Sequence, residues 1–124
     1  MISGRCECGA VRFSVAHIRE TVTACHCSQC RRLSGHVWAS TEAPDGSLHF
    51  ETDAGLTWYA SSDFAKRGFC QRCGSNLFWK RLDEDTISIA AGCLDLPTGL
   101  TLTKHIFTAN KGDYYEIIDG LPQN

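Results

Sequence analysis

Seven of the eight cysteines in this chain of 124 residues fall into three tight clusters, and any fold it adopts must put those clusters to use. Cys6-Glu7-Cys8 lies near the start, and Cys25-His26-Cys27-Ser28-Gln29-Cys30 follows. Cys70-Gln71-Arg72-Cys73 comes more than sixty residues after the first pair, and Cys93 stands alone in AAGCLD. A Cys-x-Cys pair closes an internal disulfide poorly, yet a sharp turn between its members presents two sulfurs to one small ion. The opening MISGRCECGAVRF has neither the apolar run of a signal peptide nor the pattern of a transit peptide, which leads to the expectation of a cytosolic chain. Thiols are kept reduced there, so clustered cysteines point to metal or catalysis rather than to disulfides.

FCQRCGSN has the form of a zinc knuckle: Cys70 and Cys73 flank a tight turn, Gly74 permits a positive φ, and backbone N–H groups are expected to point at the first sulfur. One knuckle supplies half of a tetrahedral site. CECG supplies the other half, with Gly9 as its own permissive glycine, so Cys6, Cys8, Cys70 and Cys73 form a closed, structural zinc site. Cys25, Cys27 and Cys30 then remain for a second zinc, and three protein ligands with one open position is the pattern of a catalytic metal. Two zinc ions per chain is the resulting expectation. Spacing alone leaves other pairings open, including His26 or Cys93 as a fourth ligand of the second site. His26 lies between two neighbouring ligands and is expected to point away from them, at the surface or in support of the site. Cys93 reads as a small buried apolar residue.

The rest of the chain reads as mainly β. AVRFSV sends Val11, Phe13 and Val15 to one face, and TISIAAG does the same for Ile87, Ile89 and Ala91. SLHFET, LTWYASS, NLFWKR, KHIFTA and YYEII add strand-length aromatic and β-branched runs between Gly/Pro/Asp turns. One short helix is expected after Cys27, capped by Ser28, with Arg31 and Arg32 near its C-terminus and Gly35 ending it. Residues 1–124 fit a single zinc-binding domain, with no repeat and no linker. The formal net charge of −2 and the lack of a basic block argue against nucleic acid as a partner, and no segment has the length and apolarity of a membrane span.

The order Cys-x-Cys-Gly, Cys-His-Cys-x-x-Cys-Arg, Phe-Cys-x-x-Cys-Gly-Ser, Gly-x-Leu-Asp and a late His-Ile-Phe resembles the glutathione-dependent formaldehyde-activating enzyme family, which also includes centromere protein V. The resemblance runs from Gly4 to about Tyr115. It implies a β-tent fold of packed antiparallel sheets with one structural zinc, on Cys6, Cys8, Cys70 and Cys73, and one catalytic zinc, on Cys25, Cys27 and Cys30. The implied activity is that of a carbon–sulfur lyase resembling S-(hydroxymethyl)glutathione synthase, which joins a small thiol such as glutathione to formaldehyde or a related aldehyde, and reverses that step. The chain departs from the family pattern at Cys93, where threonine or serine is more usual, and at Tyr114-Tyr115, where tryptophan is common.

Glutathione carries carboxylates, so cations near the second site are candidate substrate contacts. Arg31 and Arg32 follow the third ligand directly, and Lys66, Arg67 and Arg72 flank the knuckle. Trp38, Trp58 and Trp79 read as core residues. Two other classes of function stay open on the sequence: a zinc-stapled binding module without turnover, and thiol–disulfide exchange at Cys27-Ser28-Gln29-Cys30. The second of these lacks the surrounding βαβ pattern and leaves Cys25 without a role.

Overall fold

The computed structural model describes residues 1–124. Ten strands and one helix follow one another along the chain. The strands are β1 (Ile2–Arg5), β2 (Arg12–Val15), β3 (Thr21–Cys25), β4 (Trp38–Pro44), β5 (Leu48–Thr52), β6 (Leu56–Ala60), β7 (Ala65–Cys70), β8 (Asn76–Arg81), β9 (Thr86–Ala90) and β10 (Thr101–Ile106), and the helix α1 (Ser28–Ser34) lies between β3 and β4. They form two open sheets, one ordered β1-β2-β5 and one ordered β10-β3-β4-β9-β8-β7-β6, in a tent-like arrangement. No helix is long and apolar enough to cross a membrane.

The alternation read from AVRFSV and TISIAAG is what joins the sheets. Phe13 and Val15 from the small sheet, with Val11 just before β2, meet Leu77, Phe78, Ile87 and Ile89 from the large one in a single buried core. Phe13 packs edge-on against Phe78 at 5.2 Å, and Trp58 stacks on Phe78 at 5.9 Å. Truncating a buried phenylalanine at such a junction costs about 3–5 kcal/mol.

Every ladder is antiparallel except one. β10 runs parallel to β3 at the edge of the large sheet, with Ile106 opposite Cys25. A parallel partner needs a long crossover, and the whole chain between Cys25 and Thr101 lies in it. Tyr114 to Ile118, expected as a strand, forms no ladder. That segment is an irregular tail that spends its aromatic side chains on contacts with His26 and His36 instead of on sheet pairing.

Candidate metal centre

The first cluster is assembled by two turns that meet across the molecule. After β1 the chain bends at Gly9, with φ +82, and Cys6 N–H closes on the Val11 carbonyl at 3.0 Å. Between β7 and β8 the knuckle bends at Gly74, with φ +80, and Gly74 N–H closes on the Cys70 carbonyl at 2.7 Å. The two turns are tied by Glu7 N–H, which donates to Ser75 Oγ at 3.0 Å. The backbone-to-sulfur bond expected at Cys70 is found instead at Cys6, whose Sγ accepts from Val11 N–H at 3.3 Å. Cys70 is already enclosed, because Gly55 lies so close that a Cβ there would sit 2.7 Å from its sulfur.

The sulfurs of Cys6, Cys8, Cys70 and Cys73 all lie within 4.8 Å of one another. Cys8 Sγ is 3.7 Å from both Cys6 Sγ and Cys70 Sγ. Four sulfurs about 2.3 Å from a tetrahedral zinc are about 3.8 Å apart, so the donor set and its spacing fit such an ion. Burial works against ionisation of Cys73, but the Ser75 hydroxyl and the backbone N–H groups of Cys8 and Ser75 outweigh it and bring that thiol down to about 5.

The second cluster is local. Cys25 ends β3, Cys27 caps α1 and Cys30 lies in its first turn, so the bent strand end and the helix start supply the sulfurs as the spacing suggested. The expected cap at Ser28 is corrected: Cys27 is the N-cap, with its Sγ accepting from Cys30 N–H at 3.3 Å. A sulfur turned inward toward the cluster is also the group in line with the free N–H of the first turn. Gly35 ends the helix with φ +84 and its N–H on the Arg31 carbonyl, as read.

The sulfurs of Cys25, Cys27 and Cys30 lie within 4.8 Å of one another, and this donor set too fits a thiophilic ion. The neighbouring Cys25 thiol, with help from Arg67, draws Cys30 down to about 6, while Cys25 itself is raised. Neither proposed fourth ligand joins the group. His26 is 2 % exposed, not at the surface, and both ring nitrogens are engaged: Nδ1 with Tyr115 Oη at 2.5 Å and Nε2 with His105 Nδ1 at 2.9 Å. Cys93 is half-buried in the turn Ala91–Cys93 and donates its thiol hydrogen to the Ala90 carbonyl at 3.0 Å; burial pushes that thiol up to about 12.

The basic residues are redistributed relative to the sequence reading. Arg32 is exposed on α1, and Arg31 Nε is buried without a hydrogen-bond partner. The cation that reaches a site sulfur is Arg67 of β7, whose Nη2 donates to Cys30 Sγ at 3.3 Å. Lys66 lies over the Trp58 ring and Arg72 is exposed on the knuckle. Trp38 is buried as expected, while Trp58 and Trp79 are half-buried against the core. Trp38 packs on Cys30 and also lines a cleft of about 590 Å³ that reaches Cys93, Asn76 and Cys6. Of the seven clustered cysteines only Cys6 lines that cleft, and Trp38 is what joins it to Cys30.

A tent of open sheets with two groups of converging thiols defines a β-rich fold built around cysteines spaced as metal ligands are. The sequence profile of the glutathione-dependent formaldehyde-activating enzyme matches residues 1–110, and the chain belongs to that family. It is 31% identical over 84 residues to an uncharacterized lyase of Schizosaccharomyces pombe, a match covering 61% of this chain and 55% of that protein, or about half its length. It is 29% identical over 131 residues to a Halomonas elongata protein named, provisionally, as a glutathione-dependent formaldehyde-activating enzyme, covering 94% of this chain and 81% of the relative. A crystal structure of a Rhodobacter sphaeroides protein superposes with a TM-score of 0.66 at 26% identity, covering 82% of this chain and 99% of that one.

Proposed function

We propose that the chain is a zinc-dependent carbon–sulfur lyase that joins a small thiol of the glutathione type to formaldehyde or a related aldehyde, and cleaves the adduct in reverse. The observation that carries the reading is the contrast between the clusters. Four thiols converge in one, whereas three converge in the other and the two alternative donors that the sequence offered, His26 and Cys93, are committed elsewhere. In this reading Cys6, Cys8, Cys70 and Cys73 hold a structural zinc, and Cys25, Cys27 and Cys30 hold a catalytic one. An ion with three protein thiolates and one free position supplies a place where an incoming thiol is held as thiolate at neutral pH.

The chain's own groups then have separate tasks. Cys30 N–H donates to Cys27 Sγ and Arg67 Nη2 donates to Cys30 Sγ, so two of the three sulfurs are oriented by hydrogen bonds, one of them from a cation. Trp38 packs on Cys30 and lines the neighbouring cleft, and so offers an aromatic surface for the body of the thiol substrate. Arg31 and Arg32 remain candidates for its carboxylates from the neighbouring helix. Eight unpaired cysteines are in keeping with a reducing, cytosolic setting.

The test is direct. Zinc-loaded protein is mixed with glutathione and formaldehyde, and adduct formation is followed by exchange NMR against the uncatalysed rate, with Cys27→Ser as control. Acceleration by wild type at least tenfold beyond the control supports the lyase. Two bound ions with no acceleration would return the chain to the class of metal-stapled binding modules.

A further inference from the structure

Arg67 is out of place on electrostatic grounds. Its side chain points inward from β7 at 3 % exposure, and the chain's ion pairs do not include it. A guanidinium removed from water without a compensating anion is strongly unfavourable, so a fold retains one only where something nearby carries the opposite charge. No carboxylate does so here.

One edge of the guanidinium is fully engaged. Nε donates to Gln29 Oε1 at 2.8 Å and Nη2 donates to Cys30 Sγ at 3.3 Å, so a single planar fork grips two consecutive residues in the first turn of α1. Gln29 is itself fixed, its Nε2 donating to the Ser61 carbonyl at 3.0 Å. The cation lies over the Trp38 ring, 5.3 Å from its centre, and Nη1 is buried with no partner. Among these neighbours an amide, a carbonyl and an indole cannot take a negative charge. Only the sulfur can.

We propose that Arg67 is the counter-charge and positioning residue of the Cys25, Cys27 and Cys30 cluster, and that it makes the cluster a site for a divalent thiophilic cation. The inference rests on the reading of those three cysteines as metal ligands. Three thiolates carry three negative charges and a divalent ion returns two, leaving a surplus of one beside a buried group of opposite sign. With Arg67 in place the assembly is neutral when the fourth position holds a neutral ligand, and the desolvation cost of each charge is offset by the other. The fork adds geometry to charge, because it fixes Cys30 relative to Cys27 and Cys25 through the start of the helix.

The experiment uses the zinc-loaded full chain, dialysed against buffers of increasing chelator strength, with zinc per chain counted by atomic spectroscopy. Wild type, Arg67→Met, Arg67→Lys and Gln29→Leu are compared, and circular dichroism and thermal melting verify that each is folded. Arg67→Met is expected to release the second ion at a free-zinc level at least tenfold higher than wild type, with the first ion retained as before. Arg67→Lys, which keeps the charge and loses the fork, should fall between the two, and Gln29→Leu should shift release by less than threefold. Should Arg67→Met be insoluble, Arg67→Gln takes its place. A folded, uncharged variant that keeps the second ion as tightly as wild type overturns the proposal. So does a folded Arg67→Lys that loses it as readily as the uncharged variant, since charge would then count for nothing. Wild type that never holds a second ion overturns the underlying metal reading instead, an outcome visible before any variant is compared.

Discussion

His26 Nε2 lies 2.9 Å from His105 Nδ1, at the centre of a chain of hydrogen bonds that runs from Tyr115 to Asp119. Tyr115 Oη meets His26 Nδ1 at 2.5 Å, and His105 Nε2 meets Asp119 Oδ2 at 2.7 Å. The proton positions follow from what each group can do. A carboxylate only accepts, so His105 Nε2 carries hydrogen; with both rings neutral, His26 donates to His105 and Tyr115 donates to His26. Every polar atom of the two rings is then satisfied, and His26, flanked by Cys25 and Cys27, is held in one orientation from behind. Tyr115→Phe deletes the donor and leaves a buried imidazole nitrogen without a partner. It is expected to lower stability by about 1–3 kcal/mol, read as a shift in urea midpoint at fixed zinc; an unchanged midpoint would show that this bond carries no stability.

Asp119 gives the relay a pH dependence. The hydrogen bond from His105, with a further one from Leu121 N–H, holds its carboxyl below the ordinary value of 3.8. Around and below that value the unfolded chain binds more protons than the folded one, so stability falls as pH falls. The contribution is complete above the ordinary carboxyl range and fades as pH drops through it toward the lower folded value. Asp119→Asn should therefore be less stable than wild type at about pH 7, with the gap narrowing by about pH 3.5. Paired urea melts of both chains at each pH measure it, and release of metal by acid, common to both, cancels in the difference. A gap that stays constant with pH would remove Asp119 from the relay.

Gly55 tests the enclosure of the first cluster. A Cβ at this position would meet Cys70 Sγ at 2.7 Å and Ala10 Cβ at 2.9 Å, while its backbone is pinned by Gly55 N–H on Ala10 carbonyl at 3.0 Å and by Gln71 N–H on its own carbonyl at 2.8 Å. Neither the sulfur nor the backbone can give way cheaply. Gly55→Ala should cost about 1–3 kcal/mol, as overpacking of a filled site does, and should loosen the first ion in a chelator challenge. Gly46→Ala, where a Cβ meets nothing within 4 Å, is the control and should stay within about 0.5 kcal/mol of wild type.

The parts of this molecule written in short-range spacing are legible before any fold is known. Cys25, Cys27 and Cys30 converge because a strand end and one helical turn suffice, and Gly9, Gly35 and Gly74 mark the bends because only a residue without Cβ adopts their φ cheaply. Val11, Phe13 and Val15 declare their face by alternation. What the spacing hides is set by distant partners. The aromatic run at Tyr114 has strand composition but meets no free sheet edge, so it packs as a tail. Arg67 looks like one more charge beside a knuckle, and only the pairing of β7 with β8 turns it inward; the one local hint is a cation sharing alternation with the buried Ala65. His26 shows the same limit, since its partners lie 79 and 89 residues away.

The two thiol clusters differ in what they tie together, and this predicts different fates for Cys73→Ser and Cys27→Ser. Cys8 and Cys70, 62 residues apart, belong to one group, so an ion there closes a long loop between the small sheet and the β7–β8 hairpin. The second group spans only the turn from Cys25 to Cys30, already fixed by the helix and by β3. Loop-closure entropy alone favours the longer tie by about 2 kcal/mol, and a structural zinc contributes on the order of 10–16 kcal/mol of apparent binding free energy, comparable to a domain's whole net stability of about 5–15 kcal/mol. Cys73→Ser is therefore expected to give insoluble or unfolded, zinc-depleted protein. Cys27→Ser should remain folded, with a cooperative melt, one fewer ion per chain and no acceleration of adduct formation. Soluble yield, melting and zinc content measured on both variants decide the matter: a Cys73→Ser chain that melts cooperatively with full zinc, or a Cys27→Ser chain that unfolds, would reverse the assignment of which cluster holds the fold and which is free for chemistry.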